Sequence, residues 1–245
     1  MGIYVDPGNK TVYFHQSNER VDSSPGRNPS RQKSSAGDEV FSIFRRVRSD
    51  DGRDGNPLIY ALKGKDGFTI SRKEVGKFIP DLDVSIGGLL PHVNIDGVMA
   101  APSSHKIASI LAKRISKAAN LPLLSCGFVK KSNGLVASEL FHKMNAGGMD
   151  KKQRVTVRRI IRILNKNPRA DFAMKNLSVA DRFHVEPIQW DGSVQFPVNL
   201  SILLVDDLLA SGQSMGVMKR QLLQLGTPRV QCVCLLGSLD RYVKL

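Results

Sequence analysis

Residues 201–215, SILLVDDLLASGQSM, constrain the fold more than any other stretch of this chain. The consecutive apolar residues Ile202 to Val205 have the pattern of a strand buried on both faces, and such strands belong to parallel sheets covered by helices. Two adjacent carboxylates, Asp206 and Asp207, end the run. A loop of small residues, Ala210-Ser211-Gly212-Gln213-Ser214, then opens a helix. In open α/β sheets ligands bind beyond the carboxyl ends of the strands. A small-residue loop at a helix N-terminus exposes backbone N–H groups at the positive end of the helix dipole, which suits a phosphate. The Ser211 and Ser214 hydroxyls add donors, and Gly212 admits close backbone approach. Carboxylates accept hydrogen bonds from sugar hydroxyls, and beside a divalent cation they hold Mg²⁺ through water. An acidic pair followed at once by a phosphate cradle describes a pocket for a ribose 5-phosphate.

The rest of the chain supports an α/β architecture. Residues 95–102, IDGVMAAP, form a second apolar run closed by proline, and the spacing of Ile107, Ile110, Leu111 and Ile115 predicts a helix after it, with Ser103 or Ser104 as cap. PLLSCGFV is a further apolar run, SMGVMKRQLLQLG a helix, and RVQCVCLLG a final strand. Ser71 and Glu74 form a capping pair for a helix over SRKEVGKFI. Strands alternating with helices imply a mainly parallel, Rossmann-like sheet flanked by helices. Asp191-Gly192, between EPIQW and SVQFPV, signals a hairpin. Asp50 to Asn56 is a turn cluster. Residues 1–40 read as a short hairpin followed by a flexible polar arm rich in Ser, Pro and Gly, and residues 41–245 as the folded domain.

The 245 residues are ample for a core, and no apolar run approaches the ~18 residues of a membrane span or the core of a signal peptide. Cys126, Cys232 and Cys234 are too few for a disulfide framework. A reduced, soluble, cytoplasmic protein without membrane attachment is the expectation. The net charge of +14 asks for an anionic partner.

The 201–215 segment resembles the phosphoribosyl pyrophosphate (PRPP) motif of type I phosphoribosyltransferases: hydrophobic residues, an acidic pair, two variable residues, then a Ser/Thr-Gly loop. Asp206, Asp207, Ser211, Gly212 and Ser214 carry the match. The resemblance thins over residues 57–240. It implies the type I phosphoribosyltransferase fold, with a hood about 41–92 and a core about 93–245. It also implies Asp206 and Asp207 as catalytic acids and Mg²⁺ ligands, with residues 210–214 on the ribose phosphate. Ser103, Ser104, His105, Lys106 and Lys130 would bind pyrophosphate, and a flexible loop at 130–153 would close over the site. NPLIYALKGK is similar to the hood segment of competence-protein-F-like members. One departure matters. Purine-salvage members carry an aspartate just before the Ser/Thr-Gly of the loop, and here that residue is Ala210, which disfavours hypoxanthine or guanine as acceptor.

Arg154, Arg158, Arg162 and Lys166 recur every four residues opposite Val157, Ile160, Ile161 and Leu164. This pattern predicts an amphipathic helix that presents cations outward, a surface for nucleic acid. Two functions are therefore carried forward: PRPP-dependent ribosyl transfer to an unidentified acceptor, and a PRPP- or nucleotide-sensing protein on the same fold that binds nucleic acid without turnover, in regulation, DNA uptake or phage defence. Assembly into an oligomer or protein complex stays open. A dinucleotide-binding domain is disfavoured, because no strand is followed by G-x-G-x-x-G. Trp190 and Phe196 read as core. The scattered histidines lack metal-ligand spacing.

Overall fold

The computed structural model describes residues 1–17, 19–34, 37–47, 56–192, 194, 198–239 and 243–245. In chain order it begins with β1 (Gly2–Val5), β2 (Thr11–His15), β3 (Val21–Asp22), β4 (Ser30–Lys33) and β5 (Glu39–Arg46). Then come α1 (Pro57–Lys63), β6 (Thr69–Ile70), α2 (Arg72–Lys77), α3 (Ile79–Leu89), β7 (Gly97–Ala100) and α4 (Ile107–Ala119). β8 (Leu123–Leu124), β9 (Phe128–Lys130), α5 (Asn133–Asn145), α6 (Lys151–Leu164) and β10 (Ile188–Trp190) follow. The chain closes with β11 (Ile202–Leu208), α7 (Gln213–Gln224), β12 (Val230–Leu236) and β13 (Val243–Lys244). The protein is α/β, with mixed sheets flanked by helices.

The main sheet runs β13-β4-β5-β12-β11-β7-β8, and β3 pairs with the far end of β5. β5, β12, β11, β7 and β8 are parallel, whereas β3 and β4 oppose β5. Because successive side chains of a strand alternate, β11 feeds two cores. Leu203 and Val205 pack with Leu111, Ile115 and Val233 on one face; Ile202 and Leu204 pack with Met215, Met218 and Leu222 on the other. A strand covered on both sides has no polar positions to spare, which is why its sequence reads as an unbroken apolar run.

Between β9 and β10 the chain builds a third core. α5 and α6 bury Val136, Leu140, Val157, Ile160 and Leu164 against Phe172, Leu177 and Val185. Residues 130–153 are therefore not a loop. Ser132 caps α5, its Oγ accepting from the Leu135 N–H (3.2 Å), and Asp150 and Gln153 form a capping box at α6. Lys131 is buried, its Nζ 2.7 Å from the Glu139 carboxylate, rather than on the surface.

At the N-terminus the expected hairpin forms from β1 and β2, and the region after it differs most from expectation. The described N-terminal residues form strands in both larger sheets, and several of their polar side chains are buried. Asp22 and Ser30 are buried; the Ser23 hydroxyl donates to Asp81 (2.7 Å), and the Asn28 amide donates to the Asp22 carbonyl (2.8 Å). β5, expected in the hood, lies inside the main sheet. Beside that sheet, β1, β2 and β6 make a small three-stranded sheet. The first arm of the hairpin expected at Asp191-Gly192 is β10, which pairs with β9, and Gly192 has φ 73°. Its second arm lies partly outside the described residues, as do Phe196 and all of the 50–56 turn cluster except Asn56. Trp190 packs edge-on against Phe128, ring centroids 5.2 Å apart, as core.

Candidate functional site

The strand order defines where a ligand can enter. From β7 the chain crosses through α4 to β8 on one side, and from β11 it crosses through α7 to β12 on the other. The connections that leave the neighbours β7 and β11 thus run to opposite sides, the switch point at which an α/β sheet offers a ligand crevice, here between residues 101–106 and 206–212. The Ala101 N–H donates to the Val205 carbonyl (2.8 Å), so the first loop leaves the sheet directly beside the acidic pair.

Both helices that open on this crevice start without a side-chain cap. α4 begins after Lys106 and α7 after Gly212. Ser103 does not cap α4 as expected; its Oγ accepts from the His105 N–H (3.2 Å) and shapes the preceding turn. Two helix N-termini whose N-cap residues make no side-chain cap, at one crevice, favour an anion there. Ser103, Ser104 and Lys106 are exposed, His105 half-buried. In the second loop Ala210 is exposed, Ser211 and Gln213 are buried, and Ser214 is half-buried. The Ser211 Oγ accepts weakly from the Gln213 N–H (3.4 Å), and the Gln213 amide donates to the Val185 carbonyl (3.0 Å). Gly212 sits at φ 76°, and a Cβ there would lie 2.6 Å from the Ser34 Cβ. Glycine is required at this position by packing against the N-terminal segment as well as by backbone conformation.

Asp206 and Asp207 are adjacent in sequence and so point to opposite faces of β11. Asp207 is 5% exposed and faces α1, where Lys63 Nζ lies 2.7 Å from its Oδ2. Asp206 is on the α7 side and half-buried. Burial first, and then the Asp207 charge, push its carboxyl up to about 7, against the Asp207 N–H that donates to Oδ1 (2.7 Å) and the charges of Lys63 and Lys130. At His105, burial and then the charges of Lys65 and Lys63 hold the imidazole below its ordinary range, with Asp207 opposing them. These shared influences bring Asp206, Asp207, His105, Lys63, Lys65 and Lys130 into one electrostatic neighbourhood.

Compared with protein-family models and with curated proteins, the chain matches none.

Every residue expected to bind PRPP or pyrophosphate lies on a loop or strand end bordering this crevice or, for Lys130, acts on it through its charge. Arg154, Arg158, Arg162 and Lys166 belong to α6 and the turn after it, on the inserted module. Sequence reasoning missed Lys63 and Lys65. Their signal was the Lys-Gly-Lys at the end of α1, where Gly64 closes the helix at φ 59° and the charges of both lysines act on His105.

As a Mg²⁺ site the pair is incomplete by itself. Among the described residues no group of three or more His, Cys, Asp and Glu is arranged to hold a metal. Asp206 and Asp207 leave opposite faces of β11 and so do not chelate one ion together; Mg²⁺ that arrives on a diphosphate keeps much of its water and takes few protein ligands, which one of the two carboxylates can supply. Among the described residues, no helix is long and apolar enough to cross a membrane.

Proposed function

We propose that this chain binds PRPP in the β7/β11 crevice and transfers its ribose 5-phosphate to an acceptor, with release of pyrophosphate, on a fold of the type I phosphoribosyltransferase kind. The observation that carries the reading is the meeting of two uncapped helix starts with a vicinal acid pair at the divergence of β7 and β11. In this reading the Asp206 and Asp207 carboxylates accept the ribose hydroxyls, and the N–H groups and hydroxyls of residues 210–214 hold the 5-phosphate. The 103–106 loop, with Lys130, Lys63 and Lys65, receives the pyrophosphate. When bound, Mg²⁺ held through its water by Asp206 or Asp207 would neutralise charge on the departing pyrophosphate. The anomeric C–O bond breaks with its electron pair leaving on pyrophosphate, and the acceptor forms the new bond and loses a proton. The protein contributes position and electrostatics to an oxocarbenium-like transition state.

Ala210 is exposed and brings no acid to the acceptor side, which supports a second reading: ligand sensing without turnover. Calorimetry with PRPP and Mg²⁺ tests binding, and pyrophosphate release across a panel of nucleobases separates the two readings. Asp206→Asn should abolish binding; unchanged PRPP affinity in that variant would overturn both.

A further inference from the structure

The geometry points to a second, independent binding surface: the outer face of α6 as a sequence-independent site for a polynucleotide phosphate backbone. Residues 151–169 contain eight Lys and Arg and no Asp or Glu. All eight are exposed, and among the described residues Arg159 alone of them has an acidic partner, its Nη2 2.6 Å from Asp181 Oδ1. Arg154 donates from Nε to the Met149 carbonyl (3.2 Å) and remains exposed. Arg154, Arg158 and Arg162 follow at four-residue steps, about 6 Å apart along the axis, so they form a row of regular pitch. A repeating chain of phosphates is the polyanion that matches such a row, and guanidinium forks are suited to phosphate oxygens. Val155, 60% exposed, stands among the cations and offers apolar contact to sugars or bases.

The structure argues against a membrane surface. A helix that lies in the lipid interface needs a free apolar face, and here that face is spent. Val157, Ile160 and Leu164 are at most 1% exposed, packed into the core that α6 shares with α5. An isolated acidic peptide would satisfy the charge without needing the pitch.

The test is fluorescence anisotropy of the full chain with a labelled thymidine homopolymer and with a mixed-sequence duplex, each over a salt series. R158Q/R162Q removes two central cations while keeping helix propensity. K113Q/K117Q, on exposed positions of α4, removes the same charge elsewhere. Binding should fall steeply with salt, and R158Q/R162Q should make the log–log slope shallower by about 1.4 on single strands or about 1.8 on duplex. K113Q/K117Q should leave the slope unchanged. Circular dichroism and the thermal midpoint confirm that both variants are folded. The proposal is overturned if R158Q/R162Q binds with the parental slope, or if both variants lower it equally. It is likewise overturned if anionic phospholipid vesicles or polyglutamate bind in an arginine-dependent way while both nucleic acids do not. None of these outcomes depends on whether PRPP binds the crevice.

Discussion

Replacing Lys63 by Met should expose how the acid pair is tolerated. The ammonium lies 2.7 Å from Asp207 Oδ2, with the two side chains only 14% and 7% exposed. Removing one partner of a buried ion pair leaves the other charge uncompensated, a loss of about 3–5 kcal/mol. In a chain of this size that corresponds to a thermal midpoint lower by about 6–20 °C. The deficit should depend on pH. The Asp206 carboxyl sits at about 7, above its ordinary 3.8, so across that window the folded state holds more protons than the unfolded one. Stability therefore falls as pH rises through the window. Lys63 is one of the charges that lower the Asp206 value. Without it the window extends upward, so the K63M deficit should be larger at about pH 8 than at about pH 5. Adding Asp207→Asn should restore much of the loss, because the uncompensated charge is then gone. Thermal unfolding of the four members of the K63M/D207N cycle, at both pH values, is the assay. An additive cycle, or a deficit independent of pH, would refute the reasoning.

Affinity for Mg²⁺ with PRPP should weaken by about tenfold per pH unit below about 7, because the proton on Asp206 must leave before a cation or a diol hydroxyl is received; flat calorimetric affinities from pH 8 down to 5.5 would count against that assignment. Gly212→Ala should lower stability by more than the about 1–2 kcal/mol of a left-handed residue, since its Cβ also meets Ser34, and urea denaturation reads the change. Parental stability would mean that the loop packs elsewhere. Because Ala210 supplies no carboxylate, hypoxanthine, guanine and xanthine should yield no nucleotide from PRPP by chromatography, and robust conversion of any one would show that another acid serves the base.

How much was legible in the sequence depended on what each segment buries. β11, its loop and α7 were readable because Ile202 to Val205 are buried on both faces, so apolar patterning was nearly complete. α6 was readable because a single core-facing stripe stood against unbroken cations. α5 was missed although Val136, Leu140 and Met144 keep helical spacing behind the Ser132 cap; Gly134, Gly147 and Gly148 drew attention to loop character. Gly134 in fact lies at the start of the helix, against Pro168, and only the other two fall in the turn before α6. Residues 21–34 were misread for a different reason. The buried Ser23 hydroxyl donating to Asp81 and the Asn28 amide donating to the Asp22 carbonyl help to hold them, and hydropathy carries no trace of those bonds. The acid pair was legible as chemistry, but its partner was not. Lys63 lies far from Asp207 in sequence, and only the core that Leu58 and Ile59 of α1 share with Leu203 and Val205 of β11 brings the two within 2.7 Å.

The charge surplus is better understood by module than by chain. Residues 131–187, which carry α5 and α6, hold 12 Lys and Arg against 5 Asp and Glu, so 57 residues supply +7 of the net +14. This module has its own core, and it meets α7 through the Gln213–Val185 hydrogen bond at the first turn and the Arg220–Glu186 ion pair (3.1 Å) farther along. Concentrating like charges on a helix is tolerable when its apolar stripe is fully buried, because packing then offsets the repulsion. The charges acting on Asp206 and His105 come instead from Lys63, Lys65 and Lys130. The crevice and the basic face thus draw on separate cations, which allows each to be altered by mutation while the other is left as a control.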